Sequence, residues 1–259
     1  MDLFEPTKAD DALDVTFPQP LQGACLLRRY QRFLADVRLD EGTEITLHCP
    51  NTGRMTGCGE PGWRVWFSLS DNPARKYPGT WELVQTPDGD WIGVNTSRAN
   101  AVVAAALHAG RIPELTGYHS LRREVPYGEE RSRIDLLLTA PDQASCYIEV
   151  KSVTLLGDPA RPSLAGQGHG FFPDAPSARA SKHLRELIRL RQQGQRALVL
   201  FCVLHTGIRQ VSAAQHVDAD YALALQQAVE AGVEVLAYAC AISPLGLRLG
   251  ARLPVMFTE

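Results

Sequence analysis

The sequence predicts a two-domain protein in which a small all-β barrel precedes a larger α/β domain. Two changes of pattern support this prediction. Short half-apolar runs, separated by Gly, Pro, Asn and Asp, fill residues 21–86, and this is typical of a small barrel. From residue 87 onward, helical patterns alternate with continuous apolar runs, which indicates a partly parallel sheet covered by helices.

Composition and charge narrow the class of protein. The 259 residues include 26 Lys and Arg against 29 Asp and Glu, a formal net charge of −3. This balance excludes a uniform basic coat but permits a local basic patch that binds nucleic acid. There is no run of about 18 apolar residues to cross a membrane, and residues 1–20 lack the pattern of a signal peptide. We therefore expect a cytoplasmic protein without a membrane partner, whose six cysteines are core thiols.

The elements of the first domain follow a loose N-terminal arm expected over residues 1–20. The barrel is predicted over residues 21–86, where turn residues separate the apolar runs. The predicted strands are Leu26–Leu39, Glu44–His48, Arg64–Leu69 and Thr80–Gln85.

The second domain, residues 87–259, begins with a helix and continues with strands. Gly110, Gly194 and Gly232 each follow a helical pattern and are expected to end a helix. The predicted helices are Asn95–Ala109, Pro176–Gln193 and Asp220–Ala231. The predicted strands are Tyr118–Val125, Arg133–Thr139, Ser145–Val153, Ala197–Leu204 and Val233–Ala241.

Two acidic residues, Asp135 and Glu149, interrupt apolar strand runs, and Lys151 follows the second of them. A hairpin that turns at residues 141–143 pairs residues whose numbers sum to 284. Ile134, Leu136 and Leu138 then share one apolar face with their partners, and Asp135 lies opposite Glu149 on the other face.

Opposed carboxylates repel each other unless a cation lies between them, and Mg²⁺ or Mn²⁺ prefers such oxygen ligands. Asp135 and Glu149 are therefore the predicted ligands, with the Val150 carbonyl as a third. Lys151 would orient water or stabilise charge on a phosphate, which is the chemistry of phosphodiester hydrolysis. Glu124 is either a further carboxylate of this catalytic site or a surface charge.

This Asp…Glu-x-Lys pattern and the order of the elements are typical of the PD-(D/E)xK restriction-endonuclease-like fold. The alternative interpretation is a solvated strand face, on which Glu149 pairs with Lys151 and Asp135 pairs with Arg133.

Two groups of residues are candidates for nucleic-acid binding. One interleaves cations with rings on a barrel strand, where bases stack and phosphates meet Arg; the other is a basic stripe on a helix. The candidates are Arg28, Arg29, Tyr30, Arg32 and Arg54 in the barrel, and Arg179, Lys182 and Arg185 on the helix. Ordinary strand amphipathicity and a solvated helix face are the alternatives.

Several longer motifs resemble those of the sugar fermentation stimulation protein A (SfsA) family. Beyond the strands that carry Asp135 and Glu149, they are His48–Gly53, Ser70–Lys76, Thr80–Val84, Gly93–Thr96, Phe172–Pro176 and Lys182–Leu184. The resemblance implies an OB-like first domain, a nuclease-like second domain and a bacterial or archaeal cytoplasmic protein. It also implies DNA binding with little sequence preference, and a regulatory link to sugar (maltose) metabolism.

Three functions remain open from the sequence: an active metal-dependent DNA nuclease, a catalytically inert DNA-binding regulator, and an RNA-binding or adaptor module. The intact Asp135, Glu149 and Lys151 set favours the nuclease, since an inert site has no need to retain a repelling pair. We therefore expect DNA binding together with a divalent-metal phosphodiesterase site. A homodimer is a further open alternative.

Overall fold

The computed structural model describes residues 12–128, 132–157 and 163–257. It folds them into a six-stranded barrel sheet, a seven-stranded mixed sheet with helices on both faces, and a small four-stranded sheet. The predicted class, an OB-like barrel followed by an α/β domain, is confirmed.

The barrel consists of strands β2–β7, in the sheet order β4-β3-β2-β5-β6-β7, and a pairing between β4 and β6 closes it. Trp81, Phe67, Leu26 and Leu47 fill its interior, each almost completely buried. The strands are β2 Gln22–Tyr30, β3 Leu34–Leu39, β4 Glu44–His48, β5 Arg64–Leu69, β6 Gly79–Gln85 and β7 Trp91–Gly93. The barrel sheet thus continues beyond residue 86, to Gly93.

The run Leu26–Leu39, predicted as one strand, is a hairpin formed by β2 and β3. The chain reverses at residues 31–33, where Gln31 and Arg32 have φ values of 48° and 65°. Neither residue is a type that favours this left-handed conformation, so the sequence contains no turn signal at this point.

The large sheet has the order β1-β16-β15-β13-β10-β9-β8, and β10, β13 and β15 are parallel. The predicted strand–helix–strand crossovers are therefore present. The strands of this sheet are β1 Val15–Thr16, β8 Ser120–Tyr127, β9 Ser132–Ala140, β10 Gln143–Val153, β13 Arg196–Val203, β15 Glu234–Ser243 and β16 Gly246–Leu253.

Helices cover both faces of this sheet. Helix α1 packs Val102 and Val103 on one face, whereas α3 and α4 pack Leu187 and Leu225 on the other. Caps fix where two of them begin: Ser177 accepts the Ala180 N–H, and Asp218 accepts the Tyr221 N–H. The helices are α1 Ser97–His108, α2 Ser163–Gly166, α3 Ala178–Gln192 and α4 Ala219–Glu230, with a 3-10 turn at Pro113–Leu115.

A small sheet, in the order β11-β12-β14-β17, lies beside the large one and was not predicted. Its strands have only two to four residues, too few for an alternating pattern to be visible in the sequence. They are β11 Leu155–Leu156, β12 His169–Phe172, β14 Gln210–Ala213 and β17 Val255–Met256.

The predicted loose arm is wrong for its described part, and residues 1–11 lie outside the described residues. Strand β1 pairs with β16, and Asp14, whose side chain is 2% exposed, forms an ion pair with Arg111. Asp14 also accepts the Leu249 N–H at 2.7 Å. A buried ion pair and a strand pairing therefore fix this segment to the second domain.

The predicted register of the β9–β10 hairpin is confirmed for Leu136 with Ile148 and for Leu138 with Cys146. The prediction that Ile134 shares one apolar face with Leu136 and Leu138 is wrong. Ile134 packs in the core under α3 and α4, whereas Leu136 and Val150 pack in the core under α1. The side-chain alternation of β9 is thus interrupted at Asp135.

Glu82 of the barrel joins the two domains through a buried polar network. Its side chain is 1% exposed and accepts two hydrogen bonds from Arg98 of α1, at 2.6 and 3.0 Å. Asn95 and Ser68 donate at 2.8 and 2.9 Å. Because each acceptor oxygen of the buried charge has partners, the network fixes α1 against the barrel.

Two expectations from composition can be compared with the described residues. No helix among them is long and apolar enough to cross a membrane. All six cysteines lie in the described ranges as free thiols, five of them buried.

Candidate functional site

A cavity of about 460 Å³ lies where β10 approaches α1, α3 and a loop of the barrel. Asp135, Glu149 and Lys151 all line it, as the Asp…Glu-x-Lys motif predicts. Val150 lines it as well. The parallel neighbour β13 and the antiparallel neighbour β9 fix the position of β10, so strand pairing delivers these side chains to one place.

Glu149 is the most deeply buried of these groups, with 3% of its surface exposed. Its Oε1 accepts a hydrogen bond from the Lys151 Nζ at 2.6 Å and contacts the His183 Nδ1. Its Oε2 is buried and has no hydrogen-bond partner among residues 12–128, 132–157 and 163–257. An unpartnered oxygen on a buried carboxylate costs free energy, and a bound cation would remove that cost.

The two carboxylates differ in pKa. Burial, and then the charge of Glu149, raise the pKa of Asp135 to about 6, although the Val150 N–H and Lys151 oppose the shift. Burial also acts to raise the pKa of Glu149, but Lys151 and His183 outweigh it, so the pKa of Glu149 is lowered. The charge of Asp135 is thus the less well compensated of the two.

Two neutral groups hold the Asp135 carboxylate in place. The Val150 N–H donates to its Oδ2 at 2.8 Å, and the Asn100 amide of α1 donates to its Oδ1 at 2.8 Å. Nothing in the sequence pattern singled out Asn100, because its partner is distant in the chain.

His183 of α3 lies against Glu149, and 7% of its side chain is exposed. Its Nδ1 contacts the Glu149 Oε1, and its Nε2 lies 3.5 Å from the Arg179 Nε. This chain of contacts brings Arg179, a predicted phosphate contact, to the wall of the cavity.

Glu124 does not join the cavity. It is exposed, has a φ of 52°, and lies on β8 between the pairs Arg123–Leu136 and Val125–Ile134. Glu124 is not among the residues that line the cavity with Asp135 and Glu149, so the structure favours the surface-charge interpretation.

Arg29 forms hydrogen bonds within the protein. Its guanidinium donates to four backbone carbonyls: those of Arg32 at 2.6 Å, Asn51 at 2.8 Å, Gly53 at 2.9 Å and Arg54 at 3.2 Å. Because these bonds occupy both terminal nitrogens, Arg29 shapes the barrel loop that follows Cys49. This arrangement replaces the phosphate contact that the sequence suggested.

The other predicted contacts lie at the surface or near it. Arg28 is 70% exposed, pairs with Asp36 and lies over the Tyr30 ring at 4.9 Å. Arg32 and Arg54 are exposed at a hairpin tip and in a loop. On α3, Arg185 is exposed and Lys182 is half-buried, both beyond Arg179 along the helix.

Sequence reasoning about the catalytic motif missed the barrel loop that lines the cavity. Asn51, Thr52 and Gly53 of the barrel line the cavity together with Asp135 and Glu149 of the second domain, and Asp174 lines it as well. The available signal was indirect: these residues belong to the motifs His48–Gly53 and Phe172–Pro176, which carry the family resemblance.

The fold and this cavity define a two-domain protein, in which an OB domain is followed by an α/β domain with an Asp…Glu-x-Lys cluster. Two family models match the chain: the SfsA N-terminal OB domain over residues 27–94, and the sugar fermentation stimulation protein RE domain over residues 97–246. The chain belongs to the SfsA family.

Relatives and a solved structure agree with this assignment. The sugar fermentation stimulation protein homologs of Shewanella loihica and Shewanella pealeana are 58% and 55% identical over 239 residues, 92% of this chain and 98% of each relative. The structure of Pyrococcus furiosus SfsA in complex with Ca²⁺ matches with a TM-score of 0.82 and 25% identity. That match covers 95% of this chain and 99% of the other.

The role of Arg29 can be tested against that of its neighbour on the same strand. Arg29→Met is expected to lower the free energy of unfolding by about 3 kcal/mol, because four carbonyls lose a charged donor. Arg28→Met, which removes an exposed side chain, is expected to leave it unchanged. Urea denaturation measures both, and equal stability of the two variants would contradict the assignment.

Proposed function

We propose that this protein binds DNA with little sequence preference and hydrolyses phosphodiester bonds with Mg²⁺ or Mn²⁺. The observation that carries the proposal is the convergence of Asp135 and Glu149, with Lys151, on one cavity. A solvated strand face, the alternative interpretation, does not explain why Glu149 is 3% exposed or why its Oε2 has no partner in the described part of the chain.

The residues fit a hard divalent cation. The buried Glu149 carboxylate and the half-buried Asp135 carboxylate, whose ionisation Glu149 disfavours, provide oxygen ligands, and Val150 adds a main-chain carbonyl as a further candidate. Among residues 12–128, 132–157 and 163–257 there is no cluster of three or more His, Cys, Asp or Glu arranged to hold an ion. A two-carboxylate site suits Mg²⁺, which retains several waters. The Ca²⁺ bound to the similar Pyrococcus furiosus protein supports a divalent cation here.

A cation in this cavity would act as a Lewis acid on the phosphate and favour ionisation of the attacking water. The protein's own groups position the reactants. Lys151 presents an ammonium beside Glu149, where it would orient the water and stabilise negative charge on the phosphate. Asn100 and His183 hold the two carboxylates in fixed orientations.

The basic residues around the cavity support a DNA substrate. Arg179 lines the cavity, and Lys182 and Arg185 continue along α3 from it. Arg28, Tyr30, Arg32 and Arg54 extend the surface onto the barrel. A phosphate backbone that crosses both domains would meet cations on each side of the carboxylates.

A catalytically inert DNA-binding regulator of sugar metabolism is the second candidate, favoured by the name of the family. In this candidate the carboxylates do not support hydrolysis of the bound DNA, so a cleavage assay distinguishes it from the nuclease. An RNA-binding or adaptor module is a third outcome, which competition between RNA and DNA in a gel shift at fixed salt would reveal.

Cleavage is expected to depend on the carboxylate and the amine. Asp135→Ala removes a metal ligand and is expected to lower Mn²⁺-dependent cleavage of labelled DNA by about a thousandfold. Lys151→Ala is expected to lower it by about a hundredfold. Asp142→Ala, at the exposed turn of the same hairpin, is the control and should retain full activity. If neither Asp135→Ala nor Lys151→Ala reduces cleavage, the nuclease proposal is wrong.

DNA affinity is expected to depend on salt through the barrel arginines. Arg28→Ala and Arg32→Ala should each reduce the slope of log affinity against log salt by about one unit, because each removes one phosphate contact. Arg38→Ala removes an exposed arginine that pairs with Glu44 and serves as the control. Fluorescence anisotropy over a salt series measures the slopes, and unchanged slopes in both variants would place the interface elsewhere.

A further inference from the structure

We infer that the barrel loop at residues 50–58 forms a wall of the catalytic cavity and positions the substrate strand against the carboxylates. Arg29, Gly53 and Asp174 are the positioning residues that hold it there. This inference rests on the proposed function and adds to it that the catalytic site is shared between the two domains.

Hydrogen bonds fasten the loop to the second domain at three points along its length. The Thr96 hydroxyl donates to the Pro50 carbonyl at 3.3 Å, near the start of the loop. The Met55 N–H donates to the Asp174 Oδ2 at 2.8 Å, near its middle. The Cys58 thiol donates to the Thr154 carbonyl at 3.6 Å, at its end. Residues 51–53, between the first two points, line the cavity.

The barrel fixes the shape of the same loop from the other side. Arg29 binds the carbonyls of Asn51, Gly53 and Arg54, and the Gly53 N–H donates to the Asn51 Oδ1 at 2.9 Å. The loop is therefore held by a charged donor of the first domain and by a carboxylate of the second. A relative shift of the domains would change the width of the cavity.

The contact between Gly53 and Asp174 leaves no room for a side chain. A Cβ added at Gly53 would lie 2.6 and 2.7 Å from the two Asp174 carboxylate oxygens. Real Cβ atoms do not approach this closely, so any residue other than glycine would push the loop and Asp174 apart.

The chemistry of the wall suits a phosphate or sugar oxygen. Asn51 uses its Oδ1 for the Gly53 N–H, which leaves its amide nitrogen as a donor, and Thr52 adds an exposed hydroxyl. Neutral donors of these types position nucleic-acid backbones. Both residues line the same cavity as Asp135 and Glu149, so they add neutral donors to a lining that also contains the charged side chains of Lys151, Asp174 and Arg179.

The test compares Gly53→Ala and Asp174→Asn with Gly250→Ala, where an added Cβ would lie 3.4 Å from its nearest neighbour. Three quantities are measured: kcat/KM for a short labelled single-stranded DNA with Mn²⁺, the affinity for the same strand with uncleavable linkages, and the affinity for Mn²⁺. We expect both loop variants to lower kcat/KM by about a hundredfold, because misplacement by about 1 Å has such an effect. Strand affinity should fall and Mn²⁺ affinity should stay unchanged, whereas Gly250→Ala should alter none of the three.

The outcomes separate this inference from the proposed function. If both loop variants retain wild-type kcat/KM and strand affinity while Asp135→Ala is inactive, the inference about the loop is wrong and the nuclease proposal is supported. If Asp135→Ala cleaves as well as wild type, the nuclease proposal is wrong, and the affinity for the DNA strand then tests the loop by itself. Weaker binding by the two loop variants would support the inference that the loop positions the strand. Unchanged binding would overturn it. A wild-type protein that neither cleaves nor binds the strand overturns both.

Discussion

The convergence of the buried Glu149 carboxylate and the half-buried Asp135 carboxylate on one cavity is the constraint on which the rest of the site depends. Burial and the charge of Glu149 raise the pKa of Asp135 to about 6, whereas Lys151 and His183 both compensate Glu149 at its Oε1. Fold stability alone would favour apolar residues in these strands, since buried charges are costly to desolvate. This cost is the physical basis of the proposed cation site at Asp135 and Glu149.

The barrel and the α/β domain meet around this pair through polar contacts that leave little freedom. Glu82 binds Arg98 at the start of α1, the helix that also places Asn100 on Asp135. Asp174 binds the loop that Arg29 shapes from the barrel side. The first domain therefore contributes residues directly to the cavity that contains Asp135 and Glu149, in addition to the arginines proposed to bind DNA.

Strand pairing explains which parts could be predicted from the sequence. Alternation in residues 133–151 predicts the observed pairs Leu136–Ile148 and Leu138–Cys146, and the Asp…Glu-x-Lys motif predicts that Asp135 and Glu149 share one site, although the two are not paired across the strands. Contacts between distant segments left no such pattern: the four carbonyls on Arg29, the amide of Asn100 and the docking of Gly53 on Asp174 depend on how the domains pack. The interruption of β9 at Asp135, with Glu124 left-handed beside it, likewise follows from tertiary structure and not from propensity.

The most direct measurement is anomalous diffraction from crystals soaked in Mn²⁺, with Glu149→Gln crystals as the control. The account predicts one anomalous peak between the carboxylates of Asp135 and Glu149, at about 2.0–2.6 Å from an oxygen of each, and its loss in the variant. Ordered carboxylates with no peak between them, or a peak that persists in Glu149→Gln, would contradict it.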